Sequence, residues 1–91
     1  MFKKIRASIG KALDLPQDIL LDVPKITVIG DQQVWIENHT GVVEYTAEKV
    51  RVNTGLGILA VTGSDFVLVK LSPNEIKVEG KLTGITFGEG Q

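Results

Sequence analysis

The sequence predicts a mainly β protein: about eight short antiparallel strands in a compact sandwich or partly closed barrel, preceded by an N-terminal amphipathic helix. Three observations predict it. Apolar residues alternate with polar ones from Lys25 onward, turn residues interrupt that alternation about every eight to ten residues, and the spacing before Pro16 is helical instead. A short β-solenoid is the second architecture the same spacing allows.

In "MFKKIRASIGKALDL" the apolar residues Phe2, Ile5, Ile9 and Leu13 fall on one helical face, with Lys3, Lys4 and Lys11 opposite. Pro16 breaks that pattern, because proline disfavours helical backbone at the residue before it. "PQDILLD" can then form one short turn or helix with proline at its first position, closed by Pro24. Residues 1–24 thus read as a basic helix and linker, residues 25–88 as the β domain, and residues 89–91 as a tail.

Within the β domain the alternating pairs are Ile26/Val28, Val34/Ile36, Val50/Val52 and Ile76/Val78, with polar partners such as Thr27, Arg51 and Lys77. Turn signals stand at Gly30-Asp31, Asn38 to Gly41, Asn53 to Gly55, Gly63 to Asp65, Ser72 to Asn74 and Gly80-Lys81. The two halves align weakly at an offset of 33 residues, Val28 falling on Val61 and Gly30 on Gly63. "ILAVTGSDFVLVKL" is apolar on both faces, so either another layer or a partner must cover the second face. Gly84 interrupts "KLTGITF", which leaves the pairing of the last strand open.

Composition bounds the function. One domain of this size has a modest core. The chain has no cysteine, hence no disulfide framework and no thiolate metal site. It also lacks a secretory leader pattern and an apolar run long enough to span a bilayer, from which a cytoplasmic protein is expected. The net charge of −1 is unevenly spread. Residues 1–13 hold Lys3, Lys4, Arg6 and Lys11 and no acid, so the rest keeps six basic and eleven acidic residues, a charge of −5. A small β-barrel binding single-stranded nucleic acid is the alternative function, but it needs a basic groove lined with stacking aromatics. The acidic remainder has only Trp35, Tyr45, Phe66 and Phe87 as aromatics, so no nucleic-acid partner is expected.

Candidate chemistry is sparse. "ENHTG" holds His39, the single histidine, and reads as a hairpin tip with Asn38 opening the turn and Gly41 supplying a left-handed position. That turn would pair Ile36 with Val43 and Val34 with Tyr45, set Trp35 beside Glu44, and leave His39 in solvent without a nucleophile or an orienting group. "GLGILA" fits a dinucleotide-binding pattern but opens a strand rather than a helix, so no cofactor is expected. Asp14, Asp18 and Asp22 would align on a helix only if it ran through Pro16, and they read as caps and solvated charges. No catalytic, cofactor or metal residues are assigned, and the chain reads as a non-enzyme.

Two features keep functional interest. The cations of residues 1–13 could hold a weak contact with an anionic membrane while Phe2, Ile5 and Ile9 insert shallowly. The same apolar stripe could instead pack on the β domain. Trp35, the single tryptophan, falls on the face opposite Ile36, where it could anchor a partner.

The stretches "KALDLPQDILLDVPKITVIG", "WIENHTGVVEY", "VRVNTGLGILAVTGSDFVLVKL" and "NEIKVEGKLTGITF" resemble the YabP/YqfC family of endospore-formation proteins, its YqfC branch most closely. The resemblance runs from Lys11 to Phe87, and its specific part is the "DLPQDILLDVPKITVIG" entry followed by "IENHTGV". It implies a sporulation protein made in the mother cell, with a YqfD-type membrane protein as partner at the outer forespore membrane. It implies no catalytic residues.

Overall fold

The computed structural model describes residues 21–89. The helix expected over residues 1–13 lies outside them. Six strands follow in chain order: β1 (Lys25–Ile29), β2 (Gln33–Glu37), β3 (Gly41–Tyr45), β4 (Lys49–Thr54), β5 (Gly57–Leu71) and β6 (Glu75–Glu89). They form one antiparallel sheet in the order β1-β2-β6-β5-β4-β3 that does not close into a barrel. The antiparallel pairing throughout also sets aside the solenoid.

The expected eight strands are six because two turn signals do not turn the chain back. Gly63 to Asp65 and Gly80-Lys81 lie inside β5 and β6, strands of 15 residues each. Their pairing shifts register between Thr62 and Gly63 and between Ser64 and Val67, so the ladder continues through a bend. The first part of β5 pairs with β4 and the last part of β6, whereas the first part of β6 pairs with β2 and the last part of β5. Each short hairpin therefore extends one half of the long one.

Strand order and a short link together force the sheet to fold over. Glu37 pairs with Glu75 at the start of β6, and Gly41 connects through Asn53 and Ile58 to Glu89 at its end. A straight β6 would hold those ends about 45 Å apart, at about 3.3 Å per residue. The residues between Glu37 and Gly41 can bridge only about 14 Å. The sheet must bend until its halves face each other, and the core shows that they do. Val34 and Ile36 of β2, Val50 and Val52 of β4, Leu59, Val61 and Phe66 of β5, and Ile76 and Val78 of β6 form one buried cluster. Burial of each such side chain stabilises the fold by about 1.5–3 kcal/mol.

Glycine permits the bend. A Cβ at Gly63 would collide with the Lys81 carbonyl oxygen, and one at Gly80 would lie 2.7 Å from the Phe66 ring and 2.8 Å from the Asp65 carbonyl oxygen. The link between β3 and β4 continues the ladder where β4 leaves β5: Gly63 N–H donates to Glu48 O at 3.0 Å and Phe66 N–H to Ala47 O at 2.8 Å. Tyr45 then reaches the exposed rim of β5, its hydroxyl accepting from Leu68 N–H at 3.0 Å. Such a cap occupies a strand-edge donor that would otherwise invite pairing with another chain.

The pattern of the β region decides burial as expected in the first half of β5, where Leu59, Ala60 and Val61 are all buried. Its second half differs, since Val67, Val69 and Leu71 stay exposed. The last strand is paired despite Gly84, with Ile85 opposite Val61. The 33-residue offset does not predict the pairing, because β2 and β3 are unpaired with each other whereas their counterparts in β5 and β6 are paired.

Gly63→Ala should lower stability by about 2–4 kcal/mol, since the obstructing atom is backbone and cannot swing aside. Gly30→Ala has only its positive φ against it, with no neighbour within 4 Å, and should cost about 1 kcal/mol. Urea unfolding of the two variants checks the difference, and equal losses would refute the close-approach account.

Candidate functional site

The bend defines one end of the molecule, and the other is the open end where both halves of the sheet terminate. At the open end lie the β2–β3 link, the β4–β5 turn, the β5–β6 turn and the segment Leu21 to Pro24 that leads into β1. "ENHTG" is this link, not a hairpin tip. β2 pairs with β1 and β6, and β3 pairs with β4, so Ile36 faces Ile26 and Ile76 rather than Val43, and Val34 faces Val28 and Val78 rather than Tyr45. The left-handed position expected at Gly41 falls on Asn38 instead, with φ of 65°, whereas Gly41 has φ of 158°.

The link straps the two halves together through backbone hydrogen bonds. Asn38 N–H and His39 N–H both donate to Asn74 O, at 2.8 and 3.2 Å, and Thr40 N–H donates to Asn53 O at 2.8 Å. His39 is only 3% exposed, which corrects its expected place in solvent. Its Nδ1 accepts the Gly41 N–H at 3.0 Å, so the proton of the neutral ring sits on Nε2, a buried atom with no hydrogen-bond partner. A ring whose basic nitrogen is taken by backbone and which is shut from solvent is not arranged as a general base. Its job in this geometry is to fill the open end of the fold.

The same link holds the chain's entry. Asn38 Nδ2–H donates to Val23 O at 2.8 Å, Pro24 is buried, and a Cβ at Gly55 would collide with the Asp22 carbonyl oxygen. Asp22, Asn38, His39, Asn53, Gly55 and Asn74, scattered over fifty residues, thus meet at one end. Gly55 and Leu56 form the tip between β4 and β5, and Gly57 opens a strand, as "GLGILA" led us to expect.

Of the residues proposed for partner or membrane contact, Phe2, Lys3, Lys4, Ile5, Arg6, Ile9 and Lys11 lie outside the described residues. Trp35 lies on the outer face of β2, opposite the core, as its parity with Ile36 requires. It is half-buried rather than freely displayed, and its cross-strand neighbours are Thr27 and Lys77 in place of the expected Glu44. The Lys77 ammonium stands 5.8 Å from the ring centroid, within cation–π range. Beside it, Lys70 Nζ pairs with Glu75 Oε1 at 2.9 Å. The Lys70 hydrogen bond and charge, with a smaller contribution from the Trp35 indole, hold the Glu75 carboxyl below its ordinary value.

A cleft of about 380 Å³ on the same side, near the bend, is lined by Gln32, Gln33, Asp65, Val67, Glu79 and Gly80. Gln33 Nε2–H donates to Glu79 Oε2 at 2.9 Å. Close by, Lys81 Nζ pairs with Asp31 at 3.0 Å and, together with Gln32, lowers the Asp31 carboxyl. The cleft lining offers the carboxylates Asp65 and Glu79 but no hydroxyl, thiol, amine or imidazole, and among the described residues no three metal-ligating side chains converge.

Comparison with known proteins gives two matches. The YabP family model matches residues 22–91. The uncharacterized protein YqfC of Bacillus subtilis (strain 168) is 31% identical over 86 residues, which cover 94% of this chain and 92% of that protein. No solved structure matches.

His39→Ala should cost about 2–4 kcal/mol through the cavity and the lost Gly41 bond, and Asn38→Ala about 1–2 kcal/mol through its backbone conformation and the lost Val23 bond. Chemical denaturation tests both, and a loss below about 0.5 kcal/mol for His39→Ala would refute the strap. The carboxylate titrations have a definite sign. Asp31 and Glu75 are both lowered on folding, so their stabilising effect is complete above about pH 5 and fades as pH falls through the folded-state values. Carboxyl-carbon NMR should show the Asp31 midpoint rising in Lys81→Met, and an unmoved midpoint would remove Lys81 as the cause.

Proposed function

The chain belongs to the YabP family, and from that membership we propose that it acts in endospore formation as a non-enzymatic docking protein. It works in the mother-cell cytoplasm, peripherally at the outer forespore membrane, and its partner there is a membrane protein of the YqfD type.

The observation that carries the membrane side of this reading is the charge segregation. The four cations of residues 1–13 stand without one acid, and each gains about 1 kcal/mol near an anionic leaflet. Phe2, Ile5 and Ile9 add shallow apolar insertion. Among the described residues no helix is long and apolar enough to cross a membrane. The protein side of the reading is carried by Trp35. A half-buried indole flanked by Lys77, Lys70 and Glu75 combines an apolar surface with salt-bridging groups, the mixture that anchors interfaces.

Deletion of residues 1–13 should release a fluorescent fusion from the forespore periphery into the mother-cell cytoplasm. Trp35→Ala should leave the fold intact yet reduce co-purification with the membrane partner. Unchanged peripheral fluorescence after the deletion would reject the segment as the anchor.

A further inference from the structure

Cross-strand partners share a face, so the ladder registers lay out the outer face of β1, β2, β6 and the last part of β5 as a grid. One row runs Ile29, Gln33, Glu79, Val67, each the register partner of the next. The next row runs Thr27, Trp35, Lys77, Lys70, two residues or about 7 Å toward the open end. In the first row two apolar side chains flank a polar pair. Ile29 is 59% exposed and Val67 61%, and between them Gln33 Nε2–H donates to Glu79 Oε2 at 2.9 Å. The cleft by the bend belongs to this row, because Gln33, Glu79 and Val67 line it together with Gln32, Asp65 and Gly80.

The chemistry of that cleft is one-sided. Its lining holds two carboxylates, Asp65 and Glu79, and no cation. Neither carboxylate has an ion-pair partner among the described residues. Gln32 and Gln33 each direct an amide N–H to a carboxylate, of Asp31 and Glu79 respectively, and keep a carbonyl oxygen as acceptor. Three lysines of these strands are engaged elsewhere: Lys81 with Asp31 at 3.0 Å, Lys70 with Glu75 at 2.9 Å, and Lys77 over the Trp35 ring at 5.8 Å. Lys25 stands at the opposite end of β1 from Ile29. A metal would find only two carboxylates, and among the described residues no three ligands converge. Acceptors spread over β2, β5 and β6 suit a cation that carries several donors in one plane, which is a guanidinium.

We propose that this row is the docking surface for a partner protein that presents an arginine between two apolar side chains. The guanidinium enters the cleft against Asp65 and Glu79, and the apolar pair rests on Ile29 and Val67. Charge complementarity selects the arginine, and spacing selects the form of the segment. Ile29 and Val67 lie three strand spacings apart, about 14 Å, so each is about 7 Å from the midpoint between Gln33 and Glu79. In an extended chain, residues two places either side of the arginine point the same way and are also displaced by about 7 Å. A segment with apolar residues two before and two after an arginine therefore spans the row, crossing the strands. Trp35 borders it one row away. The proposal deepens the partner contact assigned to Trp35 and rests on that reading.

The test titrates the isotope-labelled full chain with the peptide acetyl-Leu-Ser-Arg-Ser-Leu-amide and follows backbone and glutamine side-chain NMR signals. Signals of Gln33, Asp65, Val67 and Glu79 should shift saturably. Asp65→Asn with Glu79→Gln should weaken binding about tenfold without lowering the melting temperature, since asparagine tolerates the φ of 58° at position 65. Glutamate in place of the peptide's arginine should abolish the shifts, and serine in place of its leucines should weaken binding. Absence of saturable shifts, or binding that survives removal of the two charges, would overturn the proposal. Equal binding of free arginine would overturn it in favour of a small cation. Binding that appears only after deletion of residues 1–13 would overturn it in favour of the chain's own cations. Co-purification decides the Trp35 reading separately. Loss of the membrane partner in Trp35→Ala without peptide binding would keep Trp35 and remove the cleft, whereas peptide binding with unchanged co-purification would support the cleft and remove Trp35 as the anchor.

Discussion

The link from Glu37 to Gly41 is the constraint on which the rest of the structure depends. It joins two strands that stand four places apart in the sheet order, and it is too short to do so across a flat sheet. The sheet has to fold over, β5 and β6 have to bend, and glycine has to occupy the positions where the bent strands touch. One shared core follows, because the folded halves present Val34, Ile36, Val50 and Val52 to the same interior. The strap also closes the open end with His39 and, through Asn38, fixes where the chain enters.

Alternation made much of this legible. The parity of Val34, Trp35 and Ile36 gives the inner and outer faces of β2, and the runs at Val50/Val52 and Ile76/Val78 mark strands whose inner residues are buried. The count of strands was not legible, for a physical reason: a glycine that lets a long strand bend and a glycine that ends a short one look alike locally. Gly63 and Gly80 are of the first kind, recognisable only from the Lys81 carbonyl and Phe66 ring that crowd them. "ENHTG" misled in the same way. Asn38 has the left-handed backbone of a turn, but the partners that make it a strap, Asn74 and Asn53, are distant in sequence. That His39 is buried shows only in the structure, because the segments that cover it are distant in sequence.

This folding divides the surface in two. The outer face of β1, β2 and the paired parts of β5 and β6 carries Trp35, its lysine and glutamate neighbours, and the cleft by the bend. The open end carries uncharged loops with the exposed Leu56 and Leu71.

The folded-over sheet is the claim on which both surfaces rest, and the separation of the two ends of β6 tests it most directly. The chain has no cysteine, so spin labels can be placed at Asn74 and Phe87, both exposed, without removing any native thiol. Double electron–electron resonance should report a distance of about 20–25 Å, as the strap and the strand spacing require. A distance of about 40 Å or more, the length of an unbent strand, would contradict the fold-over and with it the assignment of an open end.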